Sequence, residues 1–332
     1  MLAASAPYGL APVLGECGSV GAGLALGGGL GWLSGRYGAT CDNLLKADIA
    51  TSELQMLEAN ATVKDDLFWA IRGGGGNCGI ATSFEYQLYL VKEIIGGCLY
   101  YPINKARTVL HLFNEFMTAA PDELQGDCYI SGNSCWVTWV YSGNAAQGED
   151  LFNKFRRAVK PERDTLKRRF FSEVYDMEEP VASANYPYGS YKGSYIEHLT
   201  NEAIDFVLDC VHFRPATSSV FFVFSHYMHG EVCRISRDVT AFELRDPDAV
   251  HLASAVSWQT PSDAAVCIKW HNKIQEQLQA FSGGRIYANY MSTLGGSNAK
   301  SVFGSGAGRL QQIKKKYDPD NIFHRNPNIL PV

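Results

Sequence analysis

Apolar positions recur with helical spacing at about 104–119, 147–159, 201–213 and 262–281, while the stretches near 128–142, 219–228 and 251–258 are rich in Val, Phe, Trp and Tyr. A period near 3.6 predicts amphipathic helices, and short β-branched and aromatic runs predict strands. Together they predict an antiparallel sheet with helices packed on one face. Before about residue 96 the pattern is different, because glycine punctuates it at 21–23, 27–31 and 73–76. Between the last two runs, residues 65–72 predict a short helix with acidic residues at its start, and after them 81–91 alternate as a strand. Near the end, Leu310, Ile313 and Tyr317 share one face of a helix that Asp318-Pro319 stops.

These changes of texture divide the chain at 95/96 and 285/286, giving a central segment, 96–285, flanked by 1–95 and 286–332. At 332 residues there is enough chain for two packed domains or one large discontinuous one. The formal net charge of -5 argues against a nucleic-acid partner, which needs a concentrated basic face. No apolar stretch approaches the roughly 20 residues that span a bilayer, so no membrane partner is expected. Residues 1–6 lack the basic start and apolar centre of a signal peptide, and the start reads as internal. The nine cysteines include no C-x-x-C pair, so neither a zinc site nor a regular disulfide framework is indicated. Asn60-Ala61-Thr62 fits a glycosylation sequon.

Several familiar chemistries are disfavoured. Residues 74–79 match G-x-G-x-x-G, but the predicted helix precedes the glycines and the strand follows them, the reverse of a dinucleotide fingerprint. His226 and His229 stand three apart on a predicted strand and so point to opposite faces, which disfavours a shared metal. There is no G-x-S-x-G and no phosphate-binding G-x-x-x-x-G-K-[ST]. The glycine runs, a cysteine just before the first of them (Cys17) and a Tyr-x-Asn-Tyr element at 287–290 remain. From chemistry alone, the glycines are equally readable as turns or as a ligand cradle.

Residues 23–38, which include Gly27-Gly28-Gly29-Leu30-Gly31-Trp32, and then Thr40-Cys41-Asp42-Asn43, resemble a flavin-contacting block of the berberine-bridge-enzyme-like FAD-linked oxidases. The likeness continues in order through 67–77, Thr82-Ser83-Phe84-Glu85, Tyr287-Ala288-Asn289-Tyr290, residues 317–323, Asn326 and Asn328-Ile329. The resemblance implies an α+β fold: a discontinuous PCMH-type FAD-binding domain, plus a substrate domain of antiparallel sheet covered by helices. It also implies FAD as cofactor, a small-molecule substrate and O2 as acceptor.

Residue by residue, Cys17 falls where family members carry a cysteine bonded to C6 of the flavin ring, a tether expected to raise its redox potential. Val20 falls where a small branched residue leaves oxygen access to the ring. Gly27, Gly28, Gly29, Asn43, Asn289 and Asn326 fall at cofactor-contacting positions, and Tyr287 is expected on the substrate side. Tyr290 falls at the catalytic base, which would take a proton from substrate while hydride passes to flavin N5. An ordinary tyrosine has a pKa of about 10, so this role needs a site that lowers it or a late proton transfer.

Family members begin with an arginine-glycine-glycine-histidine loop that binds the FAD pyrophosphate. No histidine here follows two glycines, so the chain reads as the later two-thirds or so of such a protein. Two functions are therefore carried forward: an FAD-linked oxidase of an alcohol, sugar or secondary metabolite, and a flavin-free homologue that binds ligands or catalyses cyclisation or rearrangement.

Overall fold

The glycine-punctuated start folds into short strands, since frequent glycines interrupt any helical run. In the computed structural model, which describes every residue except 19, 178–185, 226 and 292–298, β1 (Leu10–Pro12) pairs antiparallel with β5 (Leu88–Leu90). β2 (Leu44–Ala50) is the centre of a three-stranded antiparallel sheet between β3 (Met56–Asn60) and β4 (Ile80–Tyr86). The helix α1 (Asp65–Ile71) lies between β3 and β4 in sequence. Its acidic start does not cap it through a side chain; Asp66 instead accepts from Lys316 Nζ and Tyr317 Oη.

The middle of the chain forms an eight-stranded antiparallel sheet in the order β10-β6-β8-β7-β12-β13-β11, with β9 also paired to β6. Its strands are β6 (Glu93–Pro102), β7 (Leu124–Ser131), β8 (Ser134–Tyr141), β9 (Arg163–Asp164), β10 (Lys167–Phe170), β11 (Tyr188–Ile196), β12 (Ser218–Ser225) and β13 (Val250–Trp258). Period-two alternation divides each strand between the two faces. Val137 and Trp139 of β8 and Phe222 and Phe224 of β12 join a core completed by α2 (Ala106–Thr118), α3 (Ala145–Ala158), α4 (Asn201–His212) and α5 (Ala264–Ser282). The buried stripe of α2, Val109, Leu110, Phe113 and Met117, has helical spacing, and each such side chain contributes about 1.5–3 kcal/mol on burial. Asn144 caps α3 through Ala146 and Gln147 N–H, and Thr200 caps α4 through Ala203 N–H. The opposite sheet face carries an aromatic row in which Trp136 stacks on Tyr129 at 5.0 Å.

The stretch read as one strand near 128–142 is a hairpin, and β6 and β11 were not anticipated from the pattern. β6 contains Gly96 and Gly97, while β11 is built from Gly, Ser and Tyr; neither has the β-branched run that marks a strand.

On the buried face of α5, His271 is fully buried, with Nε2 2.8 Å from Ser254 Oγ and Nδ1 3.0 Å from Ser190 Oγ. Burial, reinforced by the Lys192 charge, lowers its pKa from the ordinary 6.5 to about 4. Because the folded value lies below the unfolded one, the unfolded chain binds the extra proton between those values, and stability falls as pH drops from 6.5 through 4. The loss over that window is about 3 kcal/mol. Urea unfolding at neutral and acid pH should show a smaller acid loss in His271→Gln than in the parent.

The helix α6 (Ala307–Tyr317) returns to the first part of the chain, where Leu310, Ile313 and Tyr317 pack with Phe68, Ile71 and Ala47. Contacts group the residues into two units: Met1–Leu90, Gly230–Arg245 and Arg285–Val332 form the first, and Val91–His229 and Asp246–Gly284 the second. The inclusion of 230–245 in the first unit has a physical cause. Buried Arg245 donates to both carboxylate oxygens of Asp42, at 2.6 and 3.0 Å, and also to Val232 O, Thr240 Oγ1 and Phe242 O. Asp42 in turn accepts from Ala39 N–H, fixing the segment that follows the first glycine run.

Candidate active site

In the first unit, residues 27–31 make a tight turn that the C-terminal return closes from one side. Asn289 Nδ2 donates to Leu24 O at 3.0 Å and to Tyr287 Oη at 2.9 Å, and Gly29 N–H donates to the same phenol at 3.1 Å. A Cβ at Gly27 would stand 2.2 Å from Asn289 Oδ1, and one at Gly28 2.3 Å from the Phe242 ring. Gly28 also has a φ of +109°, so both glycines are required by close approach and the second by its backbone as well.

Tyr287 differs from the expectation that it lines the substrate side. It is 2% exposed, and its phenol holds the glycine turn together; burial pushes its pKa upward, so it stays protonated. Tyr290 is the half-buried tyrosine of the pair, its ring edge-on to Tyr287 with centroids 5.2 Å apart and its N–H bonded to Tyr287 O. Asn43 is buried and engaged within the chain: Nδ2 donates to Tyr37 O and Ala39 O, and Oδ1 accepts from Tyr89 Oη. Its amide therefore shapes the segment between the glycine turn and β2.

Cys17 is exposed, on a loop anchored where Trp32 Nε1 donates to Glu16 O and where Gly31 approaches Leu14 O too closely for a side chain. Val20 N–H bonds Cys17 O, and Val20 is 46% exposed. By contrast Cys41 and Cys78 are buried, and burial pushes the Cys78 thiol up to about 12, so neither is a ready nucleophile. His226 lies outside the described residues; His229 Nε2 contacts Gln125 Oε1 at 3.0 Å in the second unit.

The sequence reading missed a cleft of about 440 Å³ between the second glycine run and the C-terminal tail. Asn326 lines it, donating through Nδ2 to Gly76 O at 3.3 Å, while its Oδ1 is buried with no partner among the described residues. Lys314 secures both walls, donating to Asn77 O, Phe323 O and Asp318, and Asn77 ties Gly74 O, Pro327 O and Ile329 N–H together. An unused acceptor, open space at Gly23 and Gly76, and a size within the roughly 300–1,000 Å³ of small-molecule sites fit a bound cofactor.

Residues 286–330, which contribute Tyr287, Asn289, Tyr290 and Asn326, match the family model described as berberine and berberine like. An FAD-linked oxidoreductase of Dictyostelium discoideum is 26% identical over 319 residues, covering 93% of this chain and 68% of that protein. Segment 286–330 is thus berberine-like, and the relatives that match along nearly the whole chain are FAD-linked oxidoreductases. Another relative, the chitooligosaccharide oxidase of Gibberella zeae, is 28% identical over 96% of this chain and 69% of its own length. Among solved structures, 6-hydroxy-D-nicotine oxidase of Arthrobacter nicotinovorans matches with a TM-score of 0.84 at 23% identity, covering 100% of this chain and 76% of that one. Glucooligosaccharide oxidase of Acremonium strictum, which carries a 6-S-cysteinyl, 8α-N1-histidyl FAD, gives 0.84 at 20% identity over the same shares. The fold is thus the α+β architecture of these solved oxidases, the relatives are FAD-linked, and the flavin-free reading is not favoured. No helix among the described residues is long and apolar enough to cross a membrane.

Proposed function

We propose that this flavoprotein is an oxidase that converts a hydroxyl of a small alcohol, sugar or secondary metabolite to a carbonyl. Tyr290 takes the hydroxyl proton, and the carbon-bound hydrogen leaves as hydride. FAD, when bound, supplies the two-electron acceptor, and O2 takes the electrons onward as hydrogen peroxide. Tyr290 suits the base because it is the half-buried phenol beside the glycine turn, whereas the phenol of Tyr287 is committed to Gly29 and Asn289. The observation that carries this reading is that one short C-terminal segment, 286–330, brings Tyr290, Asn289 and Asn326 to the two glycine runs.

Gly27, Gly28, Gly29 and Asn326 would hold the cofactor, with Asn289 and Asn43 shaping the turn. Cys17 would tether it covalently: its exposed loop leaves the thiol accessible, and Val20 beside it leaves room for O2. The oligosaccharide oxidases among the relatives favour a sugar hydroxyl as substrate.

Acid precipitation of flavin-loaded protein tests the tether. Colour should stay in the pellet of the parent and pass to the supernatant in Cys17→Ala; equal release from both would remove Cys17 from this role.

A further inference from the structure

Besides the cleft at Gly76, the first unit holds a cavity of about 310 Å³, walled by the loop 236–243, by Trp69 of α1 and by Ser305, Gly306 and Arg309. The loop is tied in place. Trp69 Nε1 donates to Asp238 O at 2.7 Å, and Arg72 Nη2 donates to Val239 O at 2.9 Å. Phe242 turns its ring to Gly28 of the glycine turn, while Glu243, the next residue, turns its carboxylate to Gly304. The loop thus serves two different places.

Four charged side chains line the cavity, and they divide by whether their groups are engaged. Asp238 accepts from Ser236 Oγ, and Arg237 donates to Glu243 O at 3.3 Å. The other two are unmatched. Glu243 Oε2 is buried with no hydrogen-bond partner among the described residues, and a buried acceptor without a donor is costly. Arg309 is exposed; its guanidinium lies 4.0 Å over the Trp69 ring, but its N–H groups donate to no described residue. A carboxylate and a guanidinium therefore share one cavity without pairing with each other.

An ammonium offers three donors and no acceptor, which suits Glu243, and a carboxylate matches the fork of a guanidinium, which suits Arg309. One ligand can carry both. A simple amine would leave Arg309 unmatched, and a simple acid would be repelled by Glu243. The volume stands at the lower end of the roughly 300–1,000 Å³ of small-molecule sites, so the ligand must be small. We infer that this cavity binds a small amino-acid zwitterion, with its ammonium on Glu243 and its carboxylate on Arg309.

Calorimetric titration of the full chain with glycine, serine, β-alanine and γ-aminobutyrate, which vary the separation of the two charges, tests this against ethylamine and propionate, which carry one group each. At least one zwitterion should bind about tenfold or more tightly than either single-group compound, since each charge-assisted hydrogen bond adds at least that factor. Glu243→Gln and Arg309→Met should each weaken that zwitterion by about tenfold, and Arg309→Lys should recover part of the loss by restoring the charge. The unfolding midpoint should change little, because neither charged group is hydrogen-bonded through these atoms to a described residue. No binding of any zwitterion at millimolar concentration, ethylamine or propionate binding as tightly, or variants that bind as the parent does would each overturn the inference.

Discussion

Replacing Tyr290 by Phe should slow substrate-dependent reduction of bound flavin by about 10²–10⁴-fold, the usual contribution of a positioned general base. The ring would keep its edge-on contact with Tyr287, at 5.2 Å between centroids, so packing and flavin affinity should change little. Stopped-flow reduction under anaerobic conditions separates the chemical step from reoxidation by O2. The parent rate should rise with pH as the phenol gives up its proton, and that dependence should vanish in Tyr290→Phe. Tyr287→Phe should behave differently. Losing the hydroxyl leaves Gly29 N–H and one Asn289 bond without a partner, so the defect should appear in flavin affinity and stability, with the pH profile retained.

Lys314→Met should destabilise the first unit by about 3–5 kcal/mol, the cost of breaking a buried ion pair by removing one partner. Lys314 and Asp318 are both fully buried, and the lysine also holds Asn77 O and Phe323 O. Asp318 accepts from Ile322 and Phe323 N–H as well, and despite its burial these bonds together with Lys314 hold its pKa below the ordinary carboxylate value. Without the ammonium the carboxylate would remain buried with only its backbone donors. Urea unfolding should show the loss, and Asp318→Asn added to Lys314→Met should recover part of it, because the orphaned charge disappears. Since the same lysine joins the second glycine run to the tail carrying Asn326, flavin affinity should fall in the single variant.

What the sequence made legible follows the range over which its signals act. Val109, Phe113 and Met117 announce α2 through spacing alone, as Leu310, Ile313 and Tyr317 announce α6. Both are local and periodic. The attachment of 230–245 to the first unit was not readable, because Arg245 meets Asp42 across 203 positions and nothing in either neighbourhood names the other. The glycine runs were legible as places where backbone is crowded, at Gly27 and Gly28 above all. Whether their N–H groups were spent or open depends on Tyr287 and Leu26, partners distant from one run or the other. For the same reason Tyr-x-Asn-Tyr marked the right segment without distinguishing its two phenols. Burial separates them, placing Tyr287 inside and leaving Tyr290 half-buried.

The cleft at Gly76 and Asn326 carried a faint signal, the second glycine run itself. Sequence comparison with a dinucleotide fingerprint set that run aside because α1 precedes it and β4 follows. That order does exclude a Rossmann turn.

The visible absorbance spectrum of the purified, folded protein, after incubation with FAD and removal of the excess, decides whether this chain is an FAD-dependent oxidoreductase. A retained flavin spectrum that bleaches on anaerobic addition of an oxidisable sugar or alcohol is the predicted result. A protein that keeps its near-ultraviolet circular dichroism yet remains colourless in saturating FAD would contradict it.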